Sequence, residues 1–182
     1  MPDEELMRLV QTGDQQAYAR LLDRHLNSVH AYVYRMTNNR ADAEDIAQET
    51  FLRVWHRAQT FRPGRVRFST WLHRIAHNLC VDAFRKRRPI VDIELEAMAD
   101  DAPGVDEESI AEQRRKAVHA GIAALPERQR SALVLCQIQG RSNREAAQIL
   151  DISVDALESL IARARRALKA RLVDQLELEG VR

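Results

Sequence analysis

Glycine and proline are scarce, at 6 and 5 of 182 residues. So few breakers favour long helices over a turn-rich β-sandwich. Aromatic residues make up only 5%. The two cysteines, Cys80 and Cys136, are too few for a disulfide framework. No apolar run approaches the ~18 residues that a membrane span needs, so no membrane insertion is expected. The first residues are acidic (Asp3, Glu4, Glu5) and lack the apolar stretch of a signal peptide. Together these absences predict a reduced, cytoplasmic, helical protein. A hydrophobic content of 45% is enough for a real core, in one domain or two small ones.

Net charge is only +1, but it is unevenly spread. Residues 1–89 carry 15 Lys/Arg against 10 Asp/Glu. Residues 90–113 carry 9 acids and no Lys or Arg. Residues 114–182 carry 13 Lys/Arg against 8 acids. Two basic halves thus flank an acidic strip, and opposed blocks of this kind mark interaction surfaces.

Apolar spacing predicts helices over about 3–11 (Leu6, Leu9, Val10), 15–36 (Leu22, Leu26, Val29, Val33, Met36) and 41–58. The stretch FRPGRVRF, residues 61–68, is a loop with a Pro-Gly turn signal. Ser69 or Thr70 is positioned to cap a helix running to about Arg87, and Pro89 closes this half. The strip 90–113 shows no sustained period and holds Pro103-Gly104. It reads as a tether of at most about 80 Å, with Ile110 as a possible helix start. Beyond it, helices are expected over about 114–124 and 126–139, with Gly140 as the stop. Ser142-x-x-Glu145 is a capping box that opens a short helix to Leu150, and Ser153 caps a last helix to about Glu177.

A short helix, a tight turn and a capped longer helix form a helix-turn-helix pattern. On the last helix Leu157, Ile161, Ala164, Leu168 and Leu172 share one face. The opposite face holds Asp155, Ser159, Ala162, Arg163 and Arg166. Ser and Arg suit base edges or phosphates, and Ala suits a thymine methyl. The plainer alternative is an αα-hairpin with a solvated basic face.

On the helix around residues 41–58, Ala43, Ile46, Ala47, Thr50, Phe51 and Val54 form the buried side. Asp45, Gln48, Glu49 and Leu52 share the other. Leu52 among polar residues fits a contact patch for a basic protein partner, or else a solvated face with one stray Leu. The stretch FSTWLHRIAHNLCVDAFRKRR (68–88) contains His73, His77 and Cys80 at a spacing that raises the question of a metal. Zinc needs a fourth ligand, and Arg74, Arg85, Lys86, Arg87 and Arg88 make a cation unwelcome. Helical spacing turns Leu72, Ile75, Ala76, Leu79 and Ala83 inward. It turns Trp71, Arg74, Asn78 and Arg85 outward, with His73, His77, Phe84 and Arg88 on an adjoining stripe. Rings that accept unstacked bases, beside Arg that holds phosphates, suit single-stranded nucleic acid. The alternative is a solvated face with incidental histidines.

Four stretches in order resemble the extracytoplasmic-function (ECF) RNA polymerase sigma factors of the sigma-70 family. They are DAEDIAQETFLRVW (42–55), FSTWLHRIAHNLCVDAFRKRR (68–88), LPERQRSALVLCQIQG (125–140) and the helix-turn-helix at 142–168. The resemblance implies an all-α chain of two small helical domains. These are sigma region 2 at 1–89 and sigma region 4 at 114–182, joined by an acidic linker at 90–113. It implies no catalysis, no cofactor and no metal. Asp45, Gln48, Glu49 and Leu52 match the grip on the core polymerase β′ coiled coil, and region 4 would meet the β flap. Phe61, Arg65, Arg67, Phe68, Trp71, Arg74, His77, Asn78, Arg85 and Arg88 match the elements that open and read the promoter −10 element. Arg144, Asp155, Glu158, Ser159, Ala162, Arg163 and Arg166 fall where the −35 element is read. The linker resembles one that threads toward the polymerase active centre, and an anti-sigma partner that clamps both domains is implied.

The chain departs from the family at several positions. Where relatives usually read Gly-Thr-Val-Lys-Ser-Arg, residues 155–160 read DALESL, so Glu158 and Leu160 replace a Lys and an Arg. Glu158 repels phosphate unless Arg165 compensates or the carboxylate accepts from a cytosine amino group. Arg141, Asn143 and Ala146 replace residues that are usually Leu, aromatic and Ile. The helix-turn-helix alone would also suit a stand-alone transcriptional regulator with an N-terminal sensing or dimerisation domain. That rival predicts specific duplex binding without polymerase.

Overall fold

A computed structural model describes residues 1–87 and 109–179. The expected residues Arg88 and Pro89, and the acidic strip up to residue 108, lie outside the described residues. Helix α1 (Asp3–Gln11) carries three acids in its first turn and buries Leu6, Met7 and Val10. Gly13, at φ 91, turns the chain into α2 (Gln15–Thr37). The Asp14 carboxylate caps α2 by accepting from the Gln16 and Ala17 amides. Asn38 ends α2 in the left-handed region, and the Asn39 side chain caps α3 (Arg40–His56) through the Asp42 amide at 3.0 Å. A single 3₁₀ turn (Ala58–Thr60) and the Pro63-Gly64 loop lead to α4 (Phe68–Arg87).

The core of this half gathers Leu21, Tyr32, Met36, Phe51, Phe61, Phe68 and Leu72, all buried. The stripe on α2 is centred differently from the expected one. It runs through Leu21, His25, Val29, Tyr32 and Met36, so Leu26 lies at its edge and is 38% exposed. Leu9 of α1 is likewise exposed, and Met7 is buried beside Leu6 and Val10.

In the second half, α5 (Ile110–Ala123) starts at the earlier of the two positions that the sequence offers, capped by the Ser109 hydroxyl. The C-terminal end of the expected linker is therefore helical. Pro126 precedes α6 (Glu127–Leu133), which widens into a π turn over Val134–Ile138. Gly140, at φ 65, lets the Arg141 amide return to the Leu135 carbonyl at 2.9 Å. The capping box Ser142/Glu145 is formed at the start of α7 (Asn143–Leu150). Asp151 takes the left-handed conformation at the turn, and Ser153 caps α8 (Val154–Glu179). Gly121 on α5 allows close packing against α8, since a Cβ there would stand 2.6 Å from a Leu168 methyl.

The two halves touch. Helix α7 packs on α4, while α5 and α6 reach α2. The partly buried guanidinium of Arg130 donates to the Met36 carbonyl at the end of α2 and to the Ala123 and Leu125 carbonyls. His119 of α5 stacks on Tyr34 of α2 at 5.5 Å and bonds the Asn38 amide group at 2.7 Å.

Candidate nucleic-acid interface

Helix α3 shows two chemically distinct faces. Ala43, Ala47, Thr50, Phe51 and Val54 are buried. Asp45 and Gln48 are exposed, Glu49 is half-buried, and Leu52 is 52% exposed. The Glu49 carboxylate is steadied by Arg53 at 2.9 Å. An apolar side chain left in water inside an acidic rim is the form of a protein contact.

On α4 the outward residues Arg74, Asn78 and Arg85 are exposed, as are Arg65 and Arg67 in the preceding loop. The aromatic part of the expected surface differs. Phe61 and Phe68 are buried and offer no face to a base. They join Trp71 in a cluster with ring centroids 5.2–6.1 Å apart. The Phe68 amide also donates to Glu4 of α1 at 3.2 Å. The loop has no helical period, so spacing could not show that both rings turn under it. Trp71, half-buried at the rim of the cluster, is the ring of the three that still reaches the surface.

His73, expected on an outward stripe, is fully buried because the second half of the chain covers it. Its Nδ1–H donates to the Ser69 carbonyl at 2.8 Å. Nε2 then accepts from the Ser28 hydroxyl at 3.3 Å and from Arg141 at 3.4 Å. Burial and the Arg141 charge push its pKa down to about 4, so the ring is neutral at pH 7. His77 is half-buried and accepts from the Tyr32 hydroxyl at 2.8 Å. Burial takes its pKa to about 4 as well. Both histidines are thus engaged in packing contacts rather than spread along a solvated face. Cys80 is buried, and its thiol is pushed up to about 12, chiefly by desolvation.

On the helix-turn-helix, Arg144 of α7 and Asp155, Glu158, Ser159, Ala162, Arg163 and Arg166 of α8 are all exposed. The core stripe opposite them holds Leu157, Ile161 and Ala164 buried. Helical spacing gave this face because the period of α8 is unbroken. The partner of Glu158 is Asn143, whose amide donates to it at 3.2 Å, rather than Arg165. Burial pushes the Cys136 thiol up, and the nearby Arg165 charge opposes that shift only in part.

Sequence reading missed the contacts that join the two halves. Arg141 bonds the Ser69 hydroxyl at 3.0 Å, and Gln139 donates to the Ser28 carbonyl at 2.7 Å. Arg67 meets Glu145 at 3.4 Å, and Arg74 meets Asp151 at 3.6 Å. The signal that the sequence offered was Arg141, a departure from the family pattern that the resemblance implies.

Comparison with known proteins bears on both halves. Residues 21–90 match Sigma-70 region 2, and residues 115–168 match Sigma-70, region 4. The chain is 34% identical to the ECF RNA polymerase sigma factor SigW of Bacillus subtilis, over 92% of this chain and 95% of that one. It is 37% identical to the ECF RNA polymerase sigma factor SigE of Mycolicibacterium smegmatis, over 87% of this chain and 63% of that one. Among solved structures it resembles CnrH in complex with the cytosolic domain of CnrY, with a TM-score of 0.72 and 29% identity. The match covers 95% of this chain and 97% of CnrH. Two sigma regions in order, and relatives of the same kind matched over nearly their whole length, place this chain in the ECF RNA polymerase sigma factors of the sigma-70 family.

Proposed function

We propose that this chain directs core RNA polymerase to a set of promoters by three divided tasks. Asp45, Gln48, Glu49 and Leu52 hold the polymerase clamp, and region 4 meets the β flap. The 61–67 loop and α4 capture single-stranded −10 DNA. The outward face of α8 reads the −35 element. The work is done in the cytoplasm, and an anti-sigma protein covering both domains holds it in check. The observation that carries this reading is the separation of faces: an exposed Leu52 beside Asp45, Gln48 and Glu49 on α3, an Arg-bearing exposed face on α4, and a mixed polar face with Arg163 and Arg166 on α8.

The mechanism is differential binding rather than catalysis. Taking a base out of the stack costs a few kcal/mol. Stacking on Trp71 is worth about 1–3 kcal/mol, and phosphate contacts from Arg65, Arg67, Arg74 and Arg85 add to it. Because these contacts form with the opened strand, they shift the balance toward it. In holoenzyme, non-template −10 DNA is expected to crosslink within residues 61–85. Crosslinks confined to 142–168 would count against the melting role.

Glu158 gives the −35 face a character of its own. Its carboxylate is a poor neighbour for phosphate; it accepts from the Asn143 amide at 3.2 Å and could also accept from a cytosine amino group. Glu158→Lys is expected to raise nonspecific duplex binding about tenfold, as one repulsion becomes an attraction. It should also change the −35 sequences selected from a random library. An unchanged selected set would show that Glu158 does not read bases. The whole reading is tested by runoff transcription with core polymerase on a genomic promoter library, with and without this protein. The stand-alone regulator predicts no dependence on it.

A further inference from the structure

A cleft of about 610 Å³ opens between the 64–67 loop and α7. Small-molecule sites have this size, from about 300 to about 1,000 Å³. Three arginines line it, Arg65 and Arg67 from the loop and Arg144 from α7. Two carboxylates line it as well, and both are engaged. Glu4 accepts from the Phe68 amide at 3.2 Å. Glu145 accepts from the Ser142 amide at 3.2 Å and from Arg67 at 3.4 Å. The side chains of Arg65 and Arg144 meet no partner among the described residues. Positive charge is therefore in surplus along the cleft.

Neutral donors without acceptors add to it. Thr70 lines the cleft and is 1% exposed, and its hydroxyl has no hydrogen-bond partner among the described residues. A buried hydroxyl left in this way is costly and uncommon. On the other wall α7 begins. Its capping box satisfies the Ser142 and Glu145 amides. The Asn143 and Arg144 amides, in the first turn, have no acceptor within the helix. A helix start carries partial positive charge, and phosphoryl groups are anions that such amides hold well. Cations also crowd the edge of the cleft. Burial lowers the pKa of Arg141, with Glu145 opposing the fall and Arg67 adding to it.

We infer that this cleft binds a small polyphosphate anion, whose phosphoryl oxygens accept from Arg65, Arg67 and Thr70 on one wall and from Arg144 and the first amides of α7 on the other. Donors on two walls suit an anion that carries more than one phosphoryl group. Guanidinium groups take phosphate through paired, charge-assisted bonds. No aromatic ring lines the cleft, so the phosphates rather than a stacked base supply the affinity. An occupied cleft draws Arg65 and Arg67 away from an opened DNA strand, so the anion would weaken −10 binding. That consequence rests on the sigma-factor reading, whereas the site itself does not.

The test titrates the full chain, without polymerase or DNA, with inorganic tripolyphosphate by calorimetry. Chloride is kept at about 0.15 M, where exposed charges are screened beyond ~8 Å. One saturable site per chain is expected. Arg144→Gln should weaken it about tenfold, the loss typical of one charge-assisted partner. Thr70→Val should weaken it about threefold and leave the unfolding midpoint in place or raise it, because the hydroxyl it removes has no partner in the free chain. Arg57→Gln, at an exposed arginine outside the cleft, should change nothing. A nucleoside triphosphate bound as tightly as tripolyphosphate assigns the site to the phosphates alone. A nucleotide favoured more than about tenfold, and weakened by the same variants, names the nucleotide as their source. Heat without saturation, sulfate bound as tightly, or unchanged affinity in both cleft variants reduces the cleft to nonspecific anion attraction and overturns the inference. Absence of transcription with core polymerase would overturn the sigma-factor reading instead, and the site would stand.

Discussion

Leu52→Asp abolishes association with core polymerase while the fold survives. That is the expected result for an apolar side chain that is 52% exposed on α3 and surrounded by Asp45, Gln48 and Glu49. Central apolar residues of protein interfaces cost about 2 kcal/mol or more on truncation, roughly a thirtyfold loss of affinity. Replacing one with a carboxylate adds the desolvation of a charge, so a loss beyond about a hundredfold is expected. Surface changes of this kind alter stability by only about 0.5 kcal/mol. Titration of labelled protein with core enzyme, paired with thermal unfolding, separates the two effects. Undiminished affinity would move the polymerase contact away from α3.

Phe68→Ala is expected to act on the fold. The ring is wholly buried, lies edge-on to Phe61 at 5.9 Å and His25 at 5.3 Å, and touches Trp71. Removing a buried Phe side chain costs about 3–5 kcal/mol, a large share of the stability of a small domain. Urea unfolding should show a midpoint lowered accordingly, with Phe61→Ala behaving alike. Arg65→Ala, in the exposed loop between them, should leave the midpoint in place and weaken DNA binding. A Phe68→Ala protein of normal stability that failed only to bind −10 DNA would restore the ring to a direct stacking role.

The elements were legible where their causes are local. Asn38-Asn39, Pro63-Gly64, Gly140 and the Ser142/Glu145 box each act within a few residues, and each turn stands where those residues place it. The exposed face of α8 followed from one uninterrupted helical period. The outward face of α4 was only half legible. Spacing shows which residues of α4 leave the first core, but not that a second domain then covers some of them. His73 therefore read as outward and is buried, and Arg141 read as a departure in helix packing and is an interdomain contact. Phe61 and Phe68 flank a loop, where no period exists to say which way a ring turns.

The contact between α7 and α4 has a kinetic consequence. Both partners belong to one polypeptide, so closure is first order and dilution does not weaken it. Covalent linkage of this sort commonly equals a millimolar effective concentration. Opening of the α7–α4 contact is therefore equally demanding in dilute and in concentrated solution, and its equilibrium is a property of the single chain.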